Sequence, residues 1–204
     1  MIEVSEKERY AQIKNICDTK LEEMVNGLRE QYSGFMLDIS YVNQKPPVQI
    51  LDRLGAKLLE DTIELRLTKS NFAPSISEQA TSIKPEVWEE FAKIYDERNP
   101  GFFWNSKRLE ANKDRWSIFV NKGLDGKISG GITLKDNHEI FAIWAENSSD
   151  LYSLISCASK CALDNGAYDV LKMSNRENMQ EQAALKRVGF TETGYYIGYR
   201  INSL

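Results

Sequence analysis

Apolar residues recur every three or four positions at Ile13, Ile16, Cys17, Leu21, Met24, Val25 and Leu28, which predicts an amphipathic helix over 6–31 that Gly34 stops. The period then drops to two. Phe35, Leu37, Ile39 and Tyr41 alternate with Met36, Asp38, Ser40 and Val42, predicting a strand over 35–42. Pro46 and Pro47 suit the first turn of a short helix over 46–54, capped by Gly55, and alternation at Ile63, Leu65 and Leu67 predicts a strand over 58–68. The serines, Asn71 and Pro74 within 70–81 read as a connection. Beyond it, Val87, Trp88, Phe91, Ile94 and Tyr95 form the stripe of a helix that opens at Lys84-Pro85-Glu86 and ends at Asn99-Pro100-Gly101. A short helix over 106–111 follows. Next come two strands, 116–121 and 128–134, joined by a turn at Leu124-Asp125-Gly126-Lys127. The turn Asp136-Asn137 leads to a strand over 138–145. Ser148 or Ser149 caps a helix over 150–165, closed by Gly166. A strand over 168–174, a helix over 178–188 closed by Gly189, and a strand over 191–201 complete the chain. With a short first strand near 76–80, the second part reads βααβββαβαβ.

The two parts share a pattern. Gly189 follows Gly55 by 134 positions (189 − 55), and at that offset Met36-Leu37 falls on Val170-Leu171, and Leu51 to Gly55 falls on Leu185 to Gly189. Residues 1–70 therefore read as half a domain, with 71–81 as linker and 82–204 as a complete one. A half unit has an incomplete sheet, which predicts that it completes the sheet against the second unit, with a homodimer through residues 1–70 also open.

Composition narrows the classes. The chain has 204 residues, a formal net charge of -4 and a sequence pI of about 5.3. The only adjacent basic pairs are Lys107-Arg108 and Lys186-Arg187, so a nucleic-acid partner is not expected. No apolar run reaches the length of a membrane span, and the N-terminus carries charge rather than a signal core. These features predict a cytoplasmic protein without a membrane partner. The three cysteines are Cys17, Cys157 and Cys161. The last two share a helix face with Leu154, Ala158 and Ala162, and with His138 as the one histidine no metal site is expected.

The segment from Asn178 to Phe190 places an Asn, a short helix and a Gly-Phe pair just before the last strand. In this it resembles the GNAT family of acyl-CoA-dependent N-acyltransferases. The element order from Lys84 onward and the Gly130-Gly131 pair ahead of the central strand resemble that family too, over about 130 residues in all. The resemblance implies an α/β (α+β) fold: a mixed sheet flanked by helices, preceded here by a partial GNAT-like half unit. It also implies that the central strand splays from its parallel neighbour, strands 139–145 and 169–174 in this chain. The cleft then receives the pantetheine arm of acetyl-CoA against exposed backbone, while free N–H groups and the positive end of the next helix hold the pyrophosphate. The cofactor-binding residues so implied are Ile143, Trp144 and Ala145 on the strand, Asn147, Ser148, Ser149 and Asp150 at the helix start, and Asn178. Acetyl transfer needs a neutral amine, a polarised carbonyl and a proton for the leaving sulfur. Glu139 is the candidate base, with His138 beside it; backbone N–H groups near Ile143 or Trp144 serve the carbonyl; Tyr152, Tyr195 and Tyr196 are candidate proton donors.

Two departures from the family pattern bear on function. The loop Arg/Gln-x-x-Gly-x-Gly/Ala is replaced by Glu146-Asn147-Ser148-Ser149-Asp150-Leu151, and Leu185 stands where many members carry the tyrosine that protonates the thiolate. The leading expectation is an acyl-CoA-dependent N-acyltransferase, transferring acetyl to a small-molecule or peptide amine. The alternative is a catalytically degenerate GNAT-shaped binding or regulatory module.

Overall fold

A computed structural model describes residues 2–7, 9–74 and 80–204. The chain forms two compact units, one of residues 1–64 with 193–204 and the other of residues 65–192. The division does not fall in the 71–81 connection, because the C-terminal strand pairs with strand 36–42 and so belongs with the first unit.

The first unit contains β1 (Ile2–Ser5), β2 (Tyr10–Lys14), α1 (Asp18–Gln31), β3 (Met36–Val42), α2 (Val48–Arg53), most of β4 (Lys57–Thr68) and most of β10 (Thr191–Ile201). Its strand order is β1-β2-β3-β10-β4. The helix expected over 6–31 is thus two elements. Ala11 and Ile13 are buried at a spacing of two, and Arg9 and Asn15 take positive φ on either side (49° and 50°), which ends helical continuity before Asp18. Strand β1 was not foreseen; Ile2 and Val4 are both exposed there, so it carries no burial pattern. β2 runs parallel to β3, pairing from Tyr10↔Met36 through Lys14↔Ser40, and β3 runs antiparallel to β10. Leu21, Val25 and Leu28 of α1 close the core over Ile13, Leu37, Ile39 and Ile201.

The second unit holds β5 (Thr81–Ser82), α3 (Trp88–Arg98), α4 (Ser106–Ala111), β6 (Trp116–Lys122), β7 (Ile128–Lys135), β8 (Glu139–Ala145), α5 (Ser148–Asp164), β9 (Asp169–Asn175) and α6 (Met179–Val188). Its strands follow the order β4-β9-β8-β7-β6-β5. The first strand expected near 76–80 lies mostly outside the described residues; the observed one starts at Thr81. β6, β7 and β8 form an antiparallel meander, and β8 is parallel to β9. Side chains alternate across the meander: Ile118 and Val120 pack on Phe91 and Tyr95 of α3, while Asn121 faces α5. The sheet is mixed and flanked by helices, as expected. The 134-residue offset also holds, since it maps β3, α2 and β4 onto β9, α6 and β10. Gly55 and Gly189, at φ 77° and 111°, end the two corresponding helices. No helix among the described residues is long and apolar enough to cross a membrane.

Candidate active site

The parallel pair β8 and β9 is joined only at Glu139↔Leu171 and Ile140↔Lys172. The cause lies on the other side of β8. Between Ile132↔Ile143 and Leu134↔Ile140 the register with β7 shifts, so Phe141 and Ala142 together oppose Thr133. Such a bulge bends and twists its strand. The Ala142 N–H, displaced from the ladder, donates to Thr133 Oγ1 at 3.1 Å. Past the bulge, β8 follows β7 and leaves β9. The Glu146 N–H donates to the Ser129 carbonyl at 2.9 Å, so by strand alternation Ile143 and Ala145 turn their N–H and C=O groups away from β7, into the gap.

The two glycines of β7 set the spacing on either face. A Cβ on Gly131 would lie 2.5 Å from the Trp144 ring, and one on Gly130 would lie 2.9 Å from Leu154 of α5. Trp144 itself is buried, its ring 5.5 Å from that of Phe91 and 6.0 Å from that of Tyr95. Its indole packs away from the gap and its N–H and C=O face Gly131 of β7, so the backbone offered to the gap is that of its neighbours Ile143 and Ala145. Burial holds the Tyr95 hydroxyl above the usual tyrosine range, and it donates to the Trp104 carbonyl at 2.8 Å.

Two cavities flank the start of α5. The inner one, about 180 Å³, is lined by Ile143, Trp144, Ala145, Leu151, Asn178, Gln180 and Glu181. The outer one, about 540 Å³, is lined by Thr81, Lys122, Gly123, Leu124, Asn147 and Asp150. Asn147 is the N-cap of α5: its Oδ1 accepts from the Asp150 N–H at 2.9 Å and its Nδ2 donates to Asp150 Oδ2 at 3.0 Å. The Asp150 carboxylate is buried and also accepts from Ser129 Oγ at 2.8 Å. It is turned toward β7 instead of projecting to solvent, yet its charge still opposes an anion at this helix end. Ser148 and Ser149 are exposed in the first turn, and Gln180 Nε2 donates to Ser148 Oγ at 3.4 Å.

Asn178 caps α6, accepting from the Glu181 N–H at 3.1 Å and donating to Glu181 Oε2 at 3.4 Å. Behind it lies a buried ion pair. Lys172 Nζ is 3.7 Å from Glu181 Oε1, with side-chain exposures of 7% and 9%, and it donates to the Phe141 carbonyl at 2.9 Å. Thus Ile143, Trp144, Ala145 and Asn178 meet at one cavity, Asn147 and Asp150 line its neighbour, and Ser148 and Ser149 sit on the turn between. Glu139 lines neither. It lies at the closed end of the strand pair, two residues before the bulge, and its Oε2 accepts from Asn137 Nδ2 at 3.3 Å. Of the other candidates, Tyr152 donates to the Ala73 and Pro74 carbonyls beneath Arg187, His138 sits in the turn before β8, and Tyr195 and Tyr196 fall in the first unit. Leu185 is fully buried. Sequence reasoning passed over Lys122, Lys172 and Glu181. The signal for Lys172 was present, a charge at an inward position of β9 between buried Val170 and Ser174.

No family-wide sequence profile and no curated protein matches this chain. Solved structures do. A functionally unknown conserved protein from Staphylococcus epidermidis ATCC 12228 aligns with a TM-score of 0.64 at 11% identity, covering 96% of this chain and 85% of its own. A GCN5-related N-acetyltransferase from Sphaerobacter thermophilus aligns at 0.62 and 13% identity, over 98% and 75% of the two chains. A tandem GNAT protein from the clavulanic acid biosynthesis pathway aligns at 0.57 and 9% identity, over 95% and 75%. The chain has the GNAT fold. At these identities the likeness is one of fold, and function has to be argued from the site.

Proposed function

We propose that the unit of residues 65–192 is an acyl-CoA-dependent N-acyltransferase that moves an acetyl group to a primary amine on a small molecule or peptide. The observation that carries this reading is the parting of β8 from β9 after Ile140↔Lys172, which leaves the backbone of Ile143 and Ala145 facing a cavity beside the start of α5. An extended pantetheine amide can add to that backbone as a further strand would, and this does not depend on side-chain identity. The pyrophosphate then reaches the first turn of α5, where the missing loop glycines are offset by Lys122 across the outer cavity. The thioester carbonyl lies toward the bulge, where a backbone N–H polarises it. Glu139, about 7 Å of strand before Phe141, takes the amine proton through one water.

A second reading, a GNAT-shaped binding module without catalysis, is favoured by Asn147 and Asp150 filling the first turn of α5 with their own hydrogen bonds. Calorimetric titration of the full chain with acetyl-CoA tests the proposal. One binding event per chain is expected, since β2 and β3 stay paired over all five residues of β2 and leave no second gap. Absence of heat at millimolar ligand supports the module instead.

A further inference from the structure

The gap between β8 and β9 ends on a charged pair that the fold does not require. Burying an ammonium and a carboxylate costs more in lost hydration than their attraction returns, unless hydrogen bonds complete the arrangement. Two well-packed apolar side chains would serve stability as well. Lys172 and Glu181 are nonetheless buried together, 3.7 Å apart. The Lys172 side chain leaves β9 at its last pairing with β8 and crosses the opening gap, and its ammonium reaches the Phe141 carbonyl at 2.9 Å. Its ammonium is thereby held two residues before the start of the backbone strip formed by Ile143 and Ala145. On the same inward row of β9, the buried Ser174 Oγ has no hydrogen-bond partner among the described residues. Glu181 extends from this pair to the wall of the inner cavity.

We propose that Lys172 is the proton donor to the leaving thiolate, with Glu181 as the residue that positions it. This rests on the acyltransferase reading above. A thioester whose pantetheine lies along Ile143 and Ala145 brings its sulfur to the inner end of that strip, where the ammonium waits. The amine nitrogen forms a bond to the carbonyl carbon and the π pair moves to oxygen. As the oxyanion collapses, the C–S bond breaks with its electron pair on sulfur. A proton from Lys172 Nζ passes to that sulfur, giving the free thiol, and the surplus proton that Glu139 took from the amine nitrogen returns through water to the neutral lysine. Protons and electrons balance with no further reactant. Leu185, one turn beyond Glu181 on α6, is an apolar wall and takes no part.

The test uses the full chain, with thiol release from acetyl-CoA in the presence of ethylamine and acetyl-CoA binding measured alongside. Lys172→Met is expected to lower turnover about 100-fold while leaving acetyl-CoA affinity within about threefold. Lys172→Arg keeps a cation against the Phe141 carbonyl but holds its proton too tightly to give it up, so it is expected to lose turnover equally. With the thioacetate of 4-nitrothiophenol, whose thiolate departs without a proton, the deficit of both variants should shrink to less than about tenfold. Glu181→Gln should fall between them and the unmodified chain. Rescue by Arg, or an equal deficit with both acyl donors, overturns the proton-donor role and leaves a structural one. Failure of the unmodified chain to bind acetyl-CoA or release thiol overturns the acyltransferase reading itself, and the donor with it.

Discussion

Gly189 leaves α6 at φ 111°, and a Cβ there would come within 1.9 Å of the Asn71 carbonyl oxygen. Its role as a helix stop was legible from its neighbours. The close approach was not, because Asn71 is far away in sequence and only the folded second unit brings the two together. Tyr10 shows the same limit in the first unit. Its hydroxyl donates to Asp38 Oδ2 at 3.1 Å, and that carboxylate also takes two hydrogen bonds from Arg200, both at 2.7 Å. Burial, and after it the charge of Asp38, raises the Tyr10 pKa from 10.0 to about 12. The unfolded chain therefore loses this proton first. Tyr10 contributes stability that is fully present below about pH 10 and is lost as pH rises through about 12. Denaturant unfolding across that window should show stability falling with pH, and Tyr10→Phe should make the fall shallower. A residual slope is expected, since burial also raises Tyr41, Tyr196 and Tyr199. An unchanged slope in Tyr10→Phe would contradict the assignment.

At the scale of elements, periodicity placed α3, the β6–β7 hairpin, β8, α5, β9, α6 and β10 close to where they occur. It failed at the N-terminus, where Ile13 and Ile16 extend the apolar spacing of α1 backwards and mask the two-residue alternation of β2. The gap between β8 and β9 was legible only through resemblance, since it arises from a bulge that depends on how β8 registers against β7. Lys122 was missed for a related reason: it ends β6, 26 positions before the Ser148 that starts α5 (148 − 122), and only the fold brings the two to one cavity. The first turn of α5 yields a direct electrostatic test. Asp150→Asn removes a buried negative charge from a helix end proposed to hold pyrophosphate, while keeping an acceptor for Ser129. Acetyl-CoA should bind about fivefold more tightly at low salt, and the gain should shrink as salt is added. Unfolding should cost about 1 kcal/mol less, because one charged acceptor becomes neutral. Equal affinities for the two proteins at low salt would remove the electrostatic argument.

On the scale of the whole molecule, one strand–helix–strand pattern is used twice, 134 residues apart, with different outcomes. Within the first unit the parallel strand β3 has β10 as its antiparallel neighbour, and within the second the parallel strand β9 lies beside β4. Each unit thus draws a strand from a distant part of the chain, which is why the division between them differs from the 71–81 connection that Asn71, Pro74 and the serines suggest. The decisive difference is the parallel pair. Between β2 and β3 it is continuous, and between β8 and β9 it parts after two residue pairs. The central claim is that this single gap receives an acyl-CoA. Amide hydrogen exchange of the full chain, with and without acetyl-CoA, tests it most directly. The account predicts slowed exchange at Ile143, Ala145, the first turn of α5 and residues 178–181, with β2 and β3 unchanged. Protection at residues 10–42 instead, or none at 143–151 with ligand in excess, would contradict it.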